Sequence, residues 1–307
     1  MIKLVNFDEC KDSFYDYGGA AGKKRGIIYN GENYLVKYPN STEGMRDIAS
    51  NFKYSTSPLS EYLGSHIYET IGLEVHKTLL GKSGDKLVVA CKDFRKENEQ
   101  LVDFQSISNK YSTSSKNSSS LSGNSDNLDE IINLMEENEY FLKYPKLKTR
   151  FWDMFVVDAF IGNNDRNNGN WGIIKNYQKK EIRLAPIYDN GASFNNKADD
   201  ERLKKILSSK ERFVASIYEG QVCHFYDNSK LINPLKYIES MQNEECNKAV
   251  IRIFKKIDLD KIKNIFNNLP ENEENIEIIS NMRKEFYLKT LEYRYENILK
   301  PVYEKLK

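Results

Sequence analysis

Residues 161–174 read Ile161-Gly162-Asn163-Asn164-Asp165-Arg166-Asn167-Asn168-Gly169-Asn170-Trp171-Gly172-Ile173-Ile174, and residues 184–191 read Leu184-Ala185-Pro186-Ile187-Tyr188-Asp189-Asn190-Gly191. The apolar runs Trp171 to Ile174 and Ile182 to Ile187 flank a polar turn, Asn176 to Lys180, which is a hairpin pattern. Asn170 precedes the first strand, Asp189 follows the second, and the midpoint of these two positions falls in the turn. Antiparallel pairing therefore predicts that Asn170 and Asp189 sit side by side at the open end of the hairpin.

A neutral amide and a carboxylate placed together are two oxygen donors suited to one Mg²⁺, whose remaining positions go to phosphates and water. Asp165, five residues before Asn170 on an irregular loop, would then face the transferred phosphoryl group from the side of the incoming hydroxyl. An Asp, an Asn five positions on and a later Asp form the pattern of protein-kinase-like phosphotransferases: the first acid accepts the hydroxyl proton and the other two residues hold metal. Any one of these residues alone reads as turn chemistry. The order, the spacing and the hairpin symmetry together point to phosphotransfer.

A phosphate cradle is expected upstream, and Gly18-Gly19-Ala20-Ala21-Gly22-Lys23-Lys24 is the candidate, because small residues let backbone N–H groups approach anionic oxygens. The stretch misses the P-loop pattern: no Ser or Thr follows Lys23, and the next element reads as a strand. Arg25 to Tyr29 and Asn33 to Tyr38 are β-rich runs joined by Asn30-Gly31, a pair that tolerates positive φ. Lys37 on the second of these strands is placed to reach nucleotide phosphates. Ser57 as N-cap and Pro58 at the first helical position open a helix whose Leu59, Leu63, Ile67 and Ile71 repeat at spacing four up to Gly72. Glu61 on that helix is the nominee to pair with Lys37, although the helical wheel puts it nearly opposite the apolar stripe, which suits plain solvation equally. Strands at Val75 to Leu80 and Leu87 to Cys91, with a turn at Lys82 to Asp85, complete a β-β-α-β-β order.

Downstream, helices are expected at Thr149 to Ile161 and Ile276 to Leu299. Between Ser106 and Ser125, eleven of twenty residues are Ser or Thr. With almost nothing apolar to bury, that stretch reads as a mobile insertion.

Lys+Arg total 46 and Asp+Glu 45, a formal charge of +1 that removes the footprint of a general nucleic-acid binder. The N-terminus lacks a signal-peptide pattern, and no run approaches the roughly 18 apolar residues of a membrane span. A cytoplasmic protein is expected, with export lacking a classical signal peptide left open. Cys10, Cys91, Cys223 and Cys246 are far apart with no Cys-x-x-Cys pair, so reduced structural thiols are expected.

Taken with Tyr17-Gly18-Gly19-Ala20, Tyr34-Leu35-Val36-Lys37-Tyr38-Pro39, Ser60-Glu61-Tyr62-Leu63-Gly64 and Val88-Val89-Ala90-Cys91-Lys92-Asp93-Phe94, these segments resemble the HipA-like serine/threonine kinases, in particular their short form. The resemblance implies an α+β, protein-kinase-like bilobal fold. Residues 1–93 would form a small β-rich ATP-binding lobe with one helix. Residues 94–307 would form a mainly helical catalytic lobe carrying the insertion at 106–127. It further implies an ATP- and Mg²⁺-dependent protein kinase with Asp165 as base and Asn170 and Asp189 on the metal. Lys37 and the loop Gly18, Gly19, Ala20, Ala21, Gly22 and Lys23 would meet the phosphates, and the backbone around Ala90 and Lys92 the adenine. The partner is a protein substrate; no nucleic acid and no membrane are expected, and an antitoxin partner cannot be read from the chain. Two positions depart from the family's long forms: Asn167 stands where they often carry a histidine, and the glycine loop lacks the serine that many of them autophosphorylate. Autophosphorylation is instead expected, if anywhere, in the Ser-rich segment. The alternatives are a type II phosphoinositide kinase, whose active site also resembles Asn164-Asp165-Arg166 with Asp189-Asn190-Gly191, and a nucleotide-binding pseudokinase that works by docking a partner.

Overall fold

Asn30 and Gly31 both adopt positive φ, 50° and 76°, the geometry a two-residue turn needs to join two strands of native twist. The computed structural model describes residues 2–15, 23–45, 52–114, 127–137, 142, 144, 146–219, 223–227 and 230–307. Around that turn lies a sheet of β1 (Val5–Asn6), β2 (Lys11–Asp12), β3 (Lys24–Tyr29), β4 (Glu32–Lys37), β5 (Thr78–Ser83) and β6 (Lys86–Lys92). Its spatial order is β1-β5-β6-β4-β3-β2, antiparallel except for β1 on β5. The two-residue strands β1 and β2 are too short to leave a periodic signal. The strand expected from Val75 starts instead at Thr78, because Val75 is drawn into a parallel bridge with Ile187.

Alternation along β6 divides its side chains between two cores. Val88 and Ala90 join Phe7, Ile27 and Val36 in a small cluster on one face, while Val89 and Cys91 belong to the main core on the other. The first helix, α1 (Ser57–Thr70), lies on that second face with Pro58 in its first turn, and Thr56 rather than Ser57 is the N-cap residue. It packs on β5 and β6 on one side and on a helix of the C-terminal half, Leu259–Asn267, on another. A helix enclosed this way buries its polar positions too, and Ser60, Glu61 and Ser65 are all inside. Plain solvation of Glu61, the alternative its helical wheel left open, is thereby excluded.

A second sheet holds β7 (Glu99–Asp103), β8 (Gly172–Asn176) and β9 (Glu181–Leu184) in that order, antiparallel throughout. The anticipated hairpin is present, but its register pairs Ile173 with Leu184. Continued three residues outward, that register sets Asn170 opposite Ile187, two residues short of Asp189. Strand pairing ends at Leu184, with one further bond from the Ala185 N–H to the Gly172 carbonyl, and Ile187 turns away to bond with Glu74 and His76. Gly172 lies against β7 so closely that a Cβ would meet the Val102 carbonyl oxygen at 2.2 Å and the Asp103 Cα at 2.8 Å. Gly172→Ala is expected to lower stability by ~1–3 kcal/mol, read as a fall in the urea midpoint.

Among the described residues the further α-helices are α2 (Phe104–Ser114), α3 (Leu128–Glu137), α4 (Lys146–Ile161), α5 (Asp200–Leu207), α6 (Lys210–Tyr218), α7 (Pro234–Ser240), α8 (Glu244–Phe254), α9 (Leu259–Asn267), α10 (Asn281–Arg294) and α11 (Lys300–Leu306), the last two joined by a π-helical turn at Tyr295–Leu299. Every residue of α4 from Phe151 to Ile161 is buried. The expected helix from Ile276 begins only at Asn281: Glu274 and Asn275 take positive φ in a turn that pairs Ile276–Glu277 with Asn272–Glu273, and the Ser280 hydroxyl caps the helix by accepting from the Arg283 N–H. The Ser-rich stretch, expected to be mobile throughout, is helical up to Ser114, where the Asp103 carboxylate accepts from the Ser106 N–H and Phe104 stacks on Trp171 at 4.2 Å. Its residues 115–125 lie outside those described. Among the described residues, no helix is long and apolar enough to cross a membrane.

Candidate active site

Lys37, at the end of β4, points to the α1 face of the first sheet. Its Nζ donates to Glu61 Oε2 at 2.7 Å and to Asp189 Oδ1 at 2.8 Å. Burial alone would depress the ammonium pKa, but the two carboxylates outweigh it and raise Lys37 well above the ordinary lysine range. Lys37 in turn holds the Asp189 carboxyl below its usual range, against the opposing effect of burial.

Glu61 is fixed from behind. Its Oε1 accepts from the Asn190 backbone N–H at 2.8 Å and lies 3.0 Å from His76 Nε2, and the Ser65 hydroxyl bonds both His76 and the Asn190 side chain. Burial pushes the Glu61 pKa up, yet Lys37 and His76 overcome it and hold the carboxyl far below its ordinary value of 4.5. A depressed carboxyl contributes stability that is present above its unfolded pKa and lost as pH falls through the folded one. Glu61→Gln is therefore expected to flatten the loss of stability between about pH 5 and pH 2 in acid-unfolding series compared with the parent protein. Ligand atoms of Glu61, His76 and Cys91 lie within 4.8 Å of one another, but both Glu61 oxygens already serve Lys37, Asn190 and His76.

The loop after α4 is organised by Arg166, which is fully buried. It pairs with Asp158 at 2.7 Å, donates to the carbonyls of Asn170 at 2.7 Å and Tyr188 at 2.5 Å, and reaches Asn190 Oδ1 at 2.8 Å. One guanidinium thus ties the residues beside both hairpin ends to α4. The Asn170 carbonyl and the carbonyl of Tyr188, the residue before Asp189, thereby share one donor, Arg166 Nη1. Tyr68 and Asn163 complete the shell of Asp158 at 2.8 and 3.0 Å. The asparagines do the turn chemistry their composition suggests: Asn163 Oδ1 accepts from the Asp165 N–H, Asn167 Oδ1 from the Gly169 N–H, and Asn167 and Asn170 each donate a side-chain N–H to the Asp165 carbonyl at 3.0 Å.

That last bond decides the orientation of Asn170: its amide nitrogen is used, so its Oδ1 remains as a donor to a cation. Asp189, with positive φ of 62°, is the other nominated oxygen donor, and its Oδ1 accepts from Lys37. This all-oxygen pair fits Mg²⁺. Asp165 itself is half-exposed, and its Oδ1 lies 3.0 Å from His224 Nε2. Desolvation raises its pKa, and His224 opposes the rise.

The other expected residues divide. Gly18, Gly19, Ala20, Ala21 and Gly22 lie outside the described residues. Lys23 is exposed with its ammonium 4.7 Å over the Tyr38 ring. Ala90 turns its side chain to the sheet face opposite Lys37, whereas Cys91 shares the face of Lys37. Lys92 donates its N–H to the Lys77 carbonyl and pairs its ammonium with Glu32 at 3.0 Å. Sequence reading missed Arg166, His76, Ser65 and His224. Only Arg166 left a signal, as a charged residue inside the loop motif with Asp158 on the preceding helix.

The HipA-like C-terminal domain family matches residues 16–257. The serine/threonine-protein kinase CtkA of Helicobacter pylori is 37% identical over 284 residues, which is 92% of this chain and 82% of that protein. The crystal structure of a Helicobacter pylori proinflammatory kinase CtkA superposes with a TM-score of 0.83 and 33% identity, over 99% of this chain and 98% of that one. HipA of Shewanella oneidensis, solved with HipB and operator DNA, shares the fold alone, with a TM-score of 0.55 and 14% identity over 94% of this chain and 68% of that one. A mixed α/β architecture, a lysine bridged to two carboxylates and these similarities have one reading: the chain belongs to the HipA-like family and is a serine/threonine kinase.

Proposed function

We propose that the protein transfers the γ-phosphate of Mg-ATP to serine or threonine hydroxyls of protein substrates. The observation that carries this reading is Lys37 held between Glu61 and Asp189 at 2.7 and 2.8 Å, one cation linking the helix carboxylate to the acid nominated for metal. In this reading Lys37 meets the α- and β-phosphates, Gly18 to Lys23 covers them, and the adenine lies at the end of β6, near Ala90, Cys91 and Lys92. Asn170 Oδ1 and Asp189 would hold Mg²⁺, which when bound neutralises phosphate charge. Asp165 accepts the proton of the attacking hydroxyl as the oxygen–phosphorus bond forms and ADP departs. Little covalent chemistry is left to the protein, so positioning and charge carry the rate. Asp189→Asn is accordingly expected to reduce turnover by at least ~10²-fold while nucleotide affinity falls much less, as measured by initial rates beside a fluorescent-nucleotide titration.

The test is incubation of the purified protein with γ-labelled Mg-ATP and a generic protein substrate, followed by mapping of phosphosites. Label on serine or threonine supports the proposal; no transfer by folded protein overturns it. The same map tests the Ser106 to Ser125 segment as a substrate in cis. Its flanks support that role: the Phe104 and Gln105 N–H groups bond the carbonyls of Trp171 and Asn168 in the catalytic loop, and Asn127 bridges Tyr226. Absence of phosphate there ends that idea.

A further inference from the structure

His224 comes from a segment far from the catalytic loop in sequence, yet its Nε2 lies 3.0 Å from Asp165 Oδ1, and both side chains are half-exposed. Its neighbours fix it. Cys223 and Phe225 are buried, the Cys223 N–H bonds the Ile232 carbonyl at 3.1 Å, and the Ile232 N–H bonds the Phe225 carbonyl at 2.9 Å. Phe225 packs on Phe151 with ring centroids 5.4 Å apart, and Phe151 packs on Trp171, the residue after Asn170, at 5.2 Å. Buried, exposed, buried alternation along this pinned segment therefore presents the imidazole to Asp165 from a support shared with the Asn170 loop. Lys197, Arg166 and Asp189 are the other charges that act on Asp165.

We infer that His224 is a positioning residue for phosphotransfer: its Nε2–H donates to Asp165 Oδ1, fixing the carboxylate rotamer so that the second oxygen faces the incoming hydroxyl. The inference rests on Asp165 being the base. A half-exposed aspartate on a loop has otherwise several rotamers available, and a base must lie within hydrogen-bond reach of the proton it takes.

Steady-state kinase assays on the full chain would compare His224→Ala, His224→Gln, Asp165→Asn and the Asp165→Asn/His224→Ala double variant, with thermal melting and nucleotide titration on each. The expected results are a ~10-fold lower kcat for His224→Ala with KM for ATP within about twofold, recovery to within about threefold in His224→Gln, whose amide N–H can replace Nε2–H, and no further loss from His224→Ala in the Asp165→Asn background. Parent-like kcat in His224→Ala, an equal loss in His224→Gln, or a full additional tenfold loss in the double variant would overturn the role of His224 while leaving Asp165 as base. Parent-like kcat in Asp165→Asn would instead remove the base, and this inference with it.

Discussion

Asp165→Ala is expected to lose about 10²- to 10⁴-fold in kcat while the melting temperature and nucleotide affinity stay near those of the parent. The size follows from the proposed role: general-base assistance would act on the proton of the attacking hydroxyl and leave nucleotide binding to the residues proposed for it, Lys37, Asn170 and Asp189. The neutrality of fold follows from position. The Asp165 carboxylate is half-exposed with His224 beside it, and the loop is pinned through the Asp165 backbone carbonyl, which Ala keeps, by Asn167 and Asn170. Single-turnover rates and equilibrium titration on one preparation separate the two effects. A variant that binds nucleotide and still transfers phosphate at the parent rate would show that another group takes the proton.

Arg166→Ala is expected to have the largest effect on stability, about 3–5 kcal/mol, because removing one partner of a buried ion pair strands the other. Asp158 would keep only the Tyr68 hydroxyl, the Asn163 amide and the Asn163 backbone N–H on its carbonyl, while the carbonyls of Asn170 and Tyr188 and the Asn190 side chain would each lose a donor. Against a typical total of ~5–15 kcal/mol, that loss is a large fraction. Arg166→Lys should recover part of it, since an ammonium restores the charge and not the planar fork that reaches three segments at once. Urea unfolding of the two variants measures the difference; equal midpoints for Arg166→Ala and the parent would mean that the loop is held by other contacts.

How far the site could be read from the chain follows from range of interaction. Asp165, Asn170 and Asp189 share one loop and one hairpin, so spacing alone nominated them, and Asn30-Gly31 announced its turn by its φ requirements. The hairpin register could not be read, because the stop at Leu184 depends on Ile187 pairing with residues 74 and 76 of a distant element. Glu61 was nominated with two readings because a helical wheel knows only one face; enclosure of α1 by β5, β6 and α9 is tertiary. His224 reaches Asp165 from a different segment of the chain, and His76 stands behind Glu61 outside any periodic run; in either place a single histidine carries no pattern.

A crystal structure with Mg²⁺ and a non-hydrolysable ATP analogue tests the central claim most directly. The expected complex has one metal ion bonded to Asn170 Oδ1, an Asp189 carboxylate oxygen and phosphate oxygens, with the Lys37 ammonium on the phosphates and Asp165 facing the γ-phosphate from the open side. An analogue bound away from Lys37, or a metal held without Asn170 and Asp189, would contradict the assignment of this site as the phosphotransfer centre.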